Sequence, residues 1–271
     1  MEHNPYFCGV NIITLKQKIM KKYLFMLLAM LPITMFTACS SDDGEDDIKF
    51  TLSQKSVELF YKEETEIIVN GVDADDCNIK TSDDFITNAY SHGEKIRING
   101  NHVGNAVVTI SYKDKSIEVP VVVKPVVNYI GMPIINFGAA ISSIKEKETA
   151  KPNGTYGNKI DYVDQTLQYS VYHRYYFSDD KLTSVLSTID ISKLEKGYGT
   201  FFIQVTNSLR ERYSYLTAYK GVYQTIYMFT FKNKYYIGAR DAGGNGGWYI
   251  FYAPTIEEIK EKLDIHPSIA I

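Results

Sequence analysis

Residues 167–177 alternate apolar and polar side chains without a break, and a chain carrying such a run must build a sheet with one buried face. Leu167, Tyr169, Val171, His173, Tyr175 and Phe177 fall on one side, and Gln168, Ser170, Tyr172, Arg174 and Tyr176 on the other. Ser178, Asp179 and Asp180 then supply a turn into a second strand over 182–191. Strands over 226–232 and 235–240 meet at Asn233 and Lys234, and another covers 248–252. Helical spacing interrupts these strands. Residues 136–145 predict a short helix packing Ile141 and Ile144, ended by a polar loop with Pro152, Gly154 and Gly157. Phe201, Phe202, Val205, Leu209 and Tyr213 form one helical stripe, followed by a loop to Ile226. After Pro254, Thr255 and Glu258 make a capping box, with Ile256, Ile259 and Leu263 as the buried stripe of a last helix. Residues 126–271 therefore read as an α+β domain with an antiparallel sheet.

Residues 49–125 show a different rhythm of short strands divided by turn residues, which predicts an all-β sandwich. Val57, Leu59 and Tyr61 alternate with Ser56, Glu58 and Phe60, and further strands are expected over 65–69, 77–81, 86–90, 95–98, 106–112 and 117–123. Asn70-Gly71, Ser91-His92-Gly93, Asn99-Gly100-Asn101 and Lys113-Asp114-Lys115 supply the turns. Composition marks the same division, because 16 of the 22 tyrosines lie between Tyr156 and Tyr252. A boundary near Pro125 follows. Leu52-Ser53, Ser56 to Leu59, Thr81 to Asp84 and above all Gly104-Asn105-Ala106-Val107-Val108-Thr109-Ile110 resemble bacterial group-2 Ig-like domains over 49–124. That resemblance implies a spacer or adhesive module and no catalytic residue.

The N-terminal region carries an address. Lys21-Lys22 precede an apolar run from Tyr23, and Phe36-Thr37-Ala38 lead to Cys39. This is the layout of a signal peptide, with Met20 as the expected start and residues 1–19 as an upstream extension. Residues 23–38, interrupted by Pro32, fall short of the roughly twenty apolar residues that span a bilayer. Phe36-Thr37-Ala38-Cys39 resembles the lipobox of bacterial lipoproteins, with Phe36 in place of the commoner leucine. The resemblance implies lipid on Cys39, where each buried acyl CH₂ contributes about 0.8 kcal/mol to membrane attachment. The acidic tether 39–48 that follows is similar to that of Bacteroidetes surface lipoproteins, which implies an outer membrane location facing the exterior. Phe137-Gly138-Ala139, the strand ending at Phe177 to Leu182 and a later helix resemble the C-terminal regions of such lipoproteins, and no mechanism transfers with that likeness.

Candidate chemistry is sparse. Without residues 1–38 the chain keeps 25 basic and 31 acidic residues (29 less 4, and 32 less 1), net −6. No basic patch interleaved with aromatics stands out, so nucleic acid is excluded as a partner. Cys77 is alone once Cys8 and Cys39 are assigned to leader and anchor, so no disulfide framework and no cysteine zinc site is expected. His173 lies on the apolar face of its strand and reads as a core or rim histidine ahead of a general base. His92 and His102 sit in turns and read as surface residues. No paired carboxylates, metal-spaced cluster or nucleophile motif is present, so neither an enzyme nor a cofactor or metal is expected.

Two stretches remain as binding candidates. Glycines 243, 244, 246 and 247 lead into an aromatic strand and not a helix N-terminus, which rules out a phosphate cradle. They read as a hairpin connection, with room for a ligand beside Trp248 and polar contacts from Asp241 and Asn245 as the sharper alternative. Tyr172, Arg174 and Tyr176 share the polar face of their strand, where packing under a covering helix is the first expectation and recognition of a sugar or protein the second. The expected function is a lipid-anchored carbohydrate- or protein-binding surface protein with the Ig-like module as stalk. A scaffold component of an envelope assembly is the alternative, and a hydrolase the third.

Overall fold

The computed structural model describes residues 49–127, 131–164, 169–190, 198–220, 224–241 and 247–264. The leader, Cys39, the acidic tether and Asn245 lie outside the described residues. The chain is mostly strand, in antiparallel sheets.

The first eight strands are β1 (Thr51–Leu52), β2 (Val57–Phe60), β3 (Glu64–Asn70), β4 (Asn78–Thr81), β5 (Thr87–His92), β6 (Lys95–Gly100), β7 (Gly104–Tyr112) and β8 (Lys115–Lys124). They form two four-stranded sheets, ordered β1-β3-β6-β5 and β2-β8-β7-β4. All pairs are antiparallel except β2 with β8, where Val57 pairs with Val121 in parallel. Strand β2 buries Val57 and Leu59 and exposes Glu58 and Phe60, as its alternation predicts. Ile67, Ile96 and Ile98 from one sheet meet Val108, Ile110, Val119 and Val121 from the other in a single apolar layer, all fully buried. Each such side chain contributes about 1.5–3 kcal/mol relative to exposure, and together they hold the sandwich faces shut.

The second sheet has eight strands in the order β13-β14-β15-β16-β12-β11-β10-β9. These are β9 (Lys151–Tyr156), β10 (Lys159–Asp164), β11 (Ser170–Ser178), β12 (Lys181–Asp190), β13 (Ser214–Lys220), β14 (Thr225–Phe231), β15 (Tyr235–Asp241) and β16 (Trp248–Ala253). In β11 the alternation is realised residue by residue: Val171, His173, Tyr175 and Phe177 are buried, and Ser170, Tyr172, Arg174 and Tyr176 are half-buried. Helix α2 (Tyr198–Arg210) lays Phe201, Val205 and Leu209 on the core face, a stripe of i, i+4, i+8 spacing. Helix α1 (Ile141–Lys147) adds Ile144 to the same core.

Helix α3 (Ile256–Lys262) covers part of the other face, on β15 and β16. Its start is the expected one, with the Thr255 hydroxyl accepting the Glu258 N–H at 3.3 Å. The absence of a side chain at Gly238 permits the contact, because a Cβ there would stand 2.3 Å from Leu263 Cδ1 and 2.5 Å from Ile259 Cγ2.

Three expectations change. The stretch around Pro152, Gly154 and Gly157 is a hairpin, β9 to β10, and not a loop. The predicted loop after Tyr213 begins with strand β13. Both β9 and β13 are sheet edges, where one neighbour suffices and little apolar surface is buried, so their patterning is weak. The helix expected from residue 136 starts only at Ile141, because Gly138 N–H bonds Leu182 O at 2.8 Å and Leu182 N–H bonds Ala139 O at 2.9 Å, tying 138–140 to β12.

The sandwich and the eight-stranded sheet belong to one compact unit. Phe85 meets Phe231 edge-on at 5.3 Å, and Lys232 pairs with Asp83. Glu211, only 3% exposed, accepts Val127 N–H on both carboxylate oxygens at 3.1 Å, while its carbonyl accepts Val103 N–H at 2.8 Å.

Candidate functional site

The residues singled out on β11 come together. Cross-strand register places Val163, Tyr172, Thr188, Tyr249 and Arg240 in one row across the face opposite the core, and Asp161, Arg174, Leu186 and Phe251 in the next. A third row runs from Tyr156 through Lys159 and Tyr176 to Ser184. Helix α3 packs on β15 and β16, and Tyr172, Arg174 and Tyr176 on β11 remain half-buried.

This face is ordered by charge as well as packing. Arg174 donates to Asp161 through Nε at 2.8 Å and Nη2 at 2.7 Å, a planar two-bond clamp. That hydrogen bonding raises the guanidinium pKa further above its ordinary value. Lys159 Nζ stands 5.4 Å from the Tyr176 ring centre and Arg240 Cζ 5.7 Å from that of Tyr249. Asp161, Val163 and Ser184 are buried beneath these longer side chains. The result is a face on which two tyrosine rings each have a cation beside them and Asp161, Val163 and Ser184 are covered.

Trp248 is placed differently. It has no exposed surface, and its ring lies 4.9 Å from Phe202 and 6.4 Å from Tyr227 on the core side. Asp241 is its register partner on β15, so these two are adjacent, but the indole serves the core and is not offered to solvent. The structure therefore joins Tyr172, Arg174 and Tyr176 and separates them from Trp248 by the thickness of the sheet.

His173 is 2% exposed, and its Nδ1 lies 2.8 Å from Ser187 Oγ. Burial lowers its pKa. Nearby, the Tyr175 hydroxyl donates to the Glu148 carboxylate and accepts Ile134 N–H at 2.9 Å. Burial, then the Glu148 contact, raises that phenol's pKa. Both are interior polar groups with hydrogen-bond partners of their own.

Two adjoining depressions share His102. One, about 550 Å³, is lined by Lys62, Phe85, Asn99 and Asn101 among others, and the second, about 310 Å³, by Tyr61, Arg210, Tyr213 and Tyr215. The His102 ring stacks on Phe85 at 3.8 Å and its Nδ1 lies 2.8 Å from Phe85 O, so this histidine is half-buried and not a free turn residue. Burial also lowers its pKa. Its neighbours come from positions 61, 85 and 210–215, a convergence with no local sequence signal.

Among the described residues no group of three or more histidine, cysteine or carboxylate side chains is arranged to hold a metal ion. No helix of the described residues is long and apolar enough to cross a membrane.

No protein-family model matches the chain, and no curated protein does. Among solved structures it is similar to domains 4 and 5 of the S-layer protein SbsC, at 16% identity and TM-score 0.24, over 27% of this chain and 50% of that one. SbsC domains 5–6 align over 76% of this chain and 83% of that chain at 11% identity and TM-score 0.25. A DUF4784 family protein from Bacteroides caccae aligns over 74% and 69% at 7% identity and TM-score 0.21. The chain thus spans half the length of the SbsC domain 4 and 5 structure.

Proposed function

We propose that the chain is a surface-displayed lipoprotein, anchored through lipid on Cys39 in the outer membrane. In this reading the Ig-like module is a stalk, and the tyrosine-rich α+β domain is a recognition head for glycan or protein. The observation that carries it is the half-exposed row of Tyr172, Arg174 and Tyr176 on one face of β11. Tyrosine joins ring area to a hydrogen-bonding tip, and an arginine fixed by a carboxylate is a preorganised donor. The interior position of His173 and Tyr175 supports binding ahead of catalysis.

A glycan array and a pull-down from envelope extract, both with the full chain, test the head. Retention is expected, and it should fall when Tyr172→Ala and Tyr176→Ala are combined. Failure to retain any polysaccharide or envelope protein overturns the reading. The anchor is tested separately by metabolic labelling with a fatty-acid analogue, which Cys39→Ala should abolish.

A second reading, docking into a larger envelope assembly, draws on edge strand β13, where Tyr215 and Leu216 are exposed. In intact cells, crosslinking without added ligand should then yield a defined partner.

A further inference from the structure

The geometry points to an extended, carboxylated polysaccharide as the ligand of the β10–β11 face. The inference rests on the binding reading above and narrows it to one ligand chemistry.

Charge is the first ground. The chain as a whole is net −3, yet the β9–β12 part of this face carries Lys151, Lys159 and Arg174 against Asp161 and Asp190, three cations to two acids. Helix α3, with Glu257 and Glu258 in its first turn and Lys260 and Lys262 in its last, stands over β15 and β16, two to four strands from β10 and β11 in the sheet order. A ligand with negative charge is therefore drawn to the β10–β11 end of the face.

Shape is the second ground. Tyr172 and Tyr176 are four residues apart on one strand, about 13 Å by strand rise, with Arg174 between them. One molecule touching both rings must be long. Tyr156, 60% exposed, extends the row at the sheet edge, and a Cβ on Gly154 would lie 2.7 Å from its ring, so the ring rests against backbone. The two depressions lie around His102, on other elements.

Chemistry of contact is the third ground. Asp161 engages the Nε and Nη2 of Arg174, and this bond fixes the guanidinium plane. Lys159 beside Tyr176 pairs a cation with a ring at one position. A sugar bearing a carboxylate uses both at once, laying its C–H face on the phenol and its charge on the ammonium. Thr188 adds a hydroxyl within the same face, as an acceptor or donor for sugar hydroxyls.

The test uses the full chain and matched polymers: polygalacturonate, alginate and hyaluronate, each beside its methyl-esterified, uncharged form. Binding to at least one acidic polymer is expected, with loss of about fivefold or more on esterification and in Lys159→Met. Tyr172→Ala should weaken it comparably, and thermal melts of both variants confirm that they fold. Equal binding of acid and ester overturns this inference but leaves glycan recognition standing. Binding of acid polymers that neither variant alters also overturns it, since the site then lies elsewhere. Failure to retain any acidic polymer overturns it too, and the envelope pull-down then decides the broader reading by itself.

Discussion

His173 shows how much one buried side chain couples the fold to solution conditions. Burial holds its imidazole below the ordinary value of 6.5, so the unfolded chain binds more protons than the folded one once pH falls through 6.5. Stability is complete above that value and declines below it. Half-buried His102 contributes with the same sign. Thermal melts should therefore give a lower Tm at pH 5.5 than at pH 7.5, and the difference should shrink in His173→Asn; an unchanged difference would sink the assignment. Tyr175 makes a separate case. Its hydroxyl serves both the Glu148 carboxylate and Ile134 N–H, so Tyr175→Phe takes that partner from a half-buried donor and from a carboxylate at once. Urea unfolding should show a loss of about 1–3 kcal/mol. The polarity of His173's position was legible in the sequence, since alternation alone put it on the apolar face. Its partner was not, because Ser187 is brought opposite only by the β11–β12 register.

At the scale of elements, legibility followed burial. Sandwich strands β2 to β8 and β11, β12, β14, β15 and β16 announce themselves because their alternating or continuous apolar residues are paid for in core contacts. Edge strands β1, β9 and β13 have no such signature and went unseen, and β10 is the exception to the rule, unseen although it buries Ile160, Tyr162 and Val163. Trp248 illustrates a different limit: the glycines before it mark a connection, but the direction of the indole depends on pairing with Ile189 and on Phe202 from α2, distant in the chain. The face of Tyr172, Arg174 and Tyr176 was readable, whereas Lys159 and Asp161 joined it only through a hairpin the sequence disguised. Helix α3 offers two tests of element packing. Removing its cap in Thr255→Ala should cost about 1 kcal/mol in chemical denaturation. Gly238→Val places side-chain atoms where Leu263 and Ile259 already lie, and should cost about 1–3 kcal/mol, with loss of helical signal at 222 nm as the helix is displaced.

For the whole molecule, the contacts between the sandwich and the eight-stranded sheet decide whether the chain unfolds as one body. Glu211 is central, since its carboxylate holds Val127 N–H and its carbonyl holds Val103 N–H, with Arg212 4.0 Å away. Calorimetry should show a single transition for the full chain. Glu211→Ala removes the carboxylate contact to Val127 N–H and should lower stability by about 1–3 kcal/mol, while Asp83→Ala removes the Lys232 pair between the sandwich and the sheet and should begin to separate the single transition into two. A single, unshifted transition in Asp83→Ala would show that this pair carries no cooperativity.

The same junction bears on descent. A module that can be shuffled among proteins must leave behind no orphaned charge and no bare ring when it is cut out. Here excision at residue 125 would strip Lys232 of Asp83, bare one face of Phe231, and take from Glu211 the neighbour its carbonyl binds. The two halves are thus fitted to each other, and grafting either onto a different partner would require the seam to be rewritten.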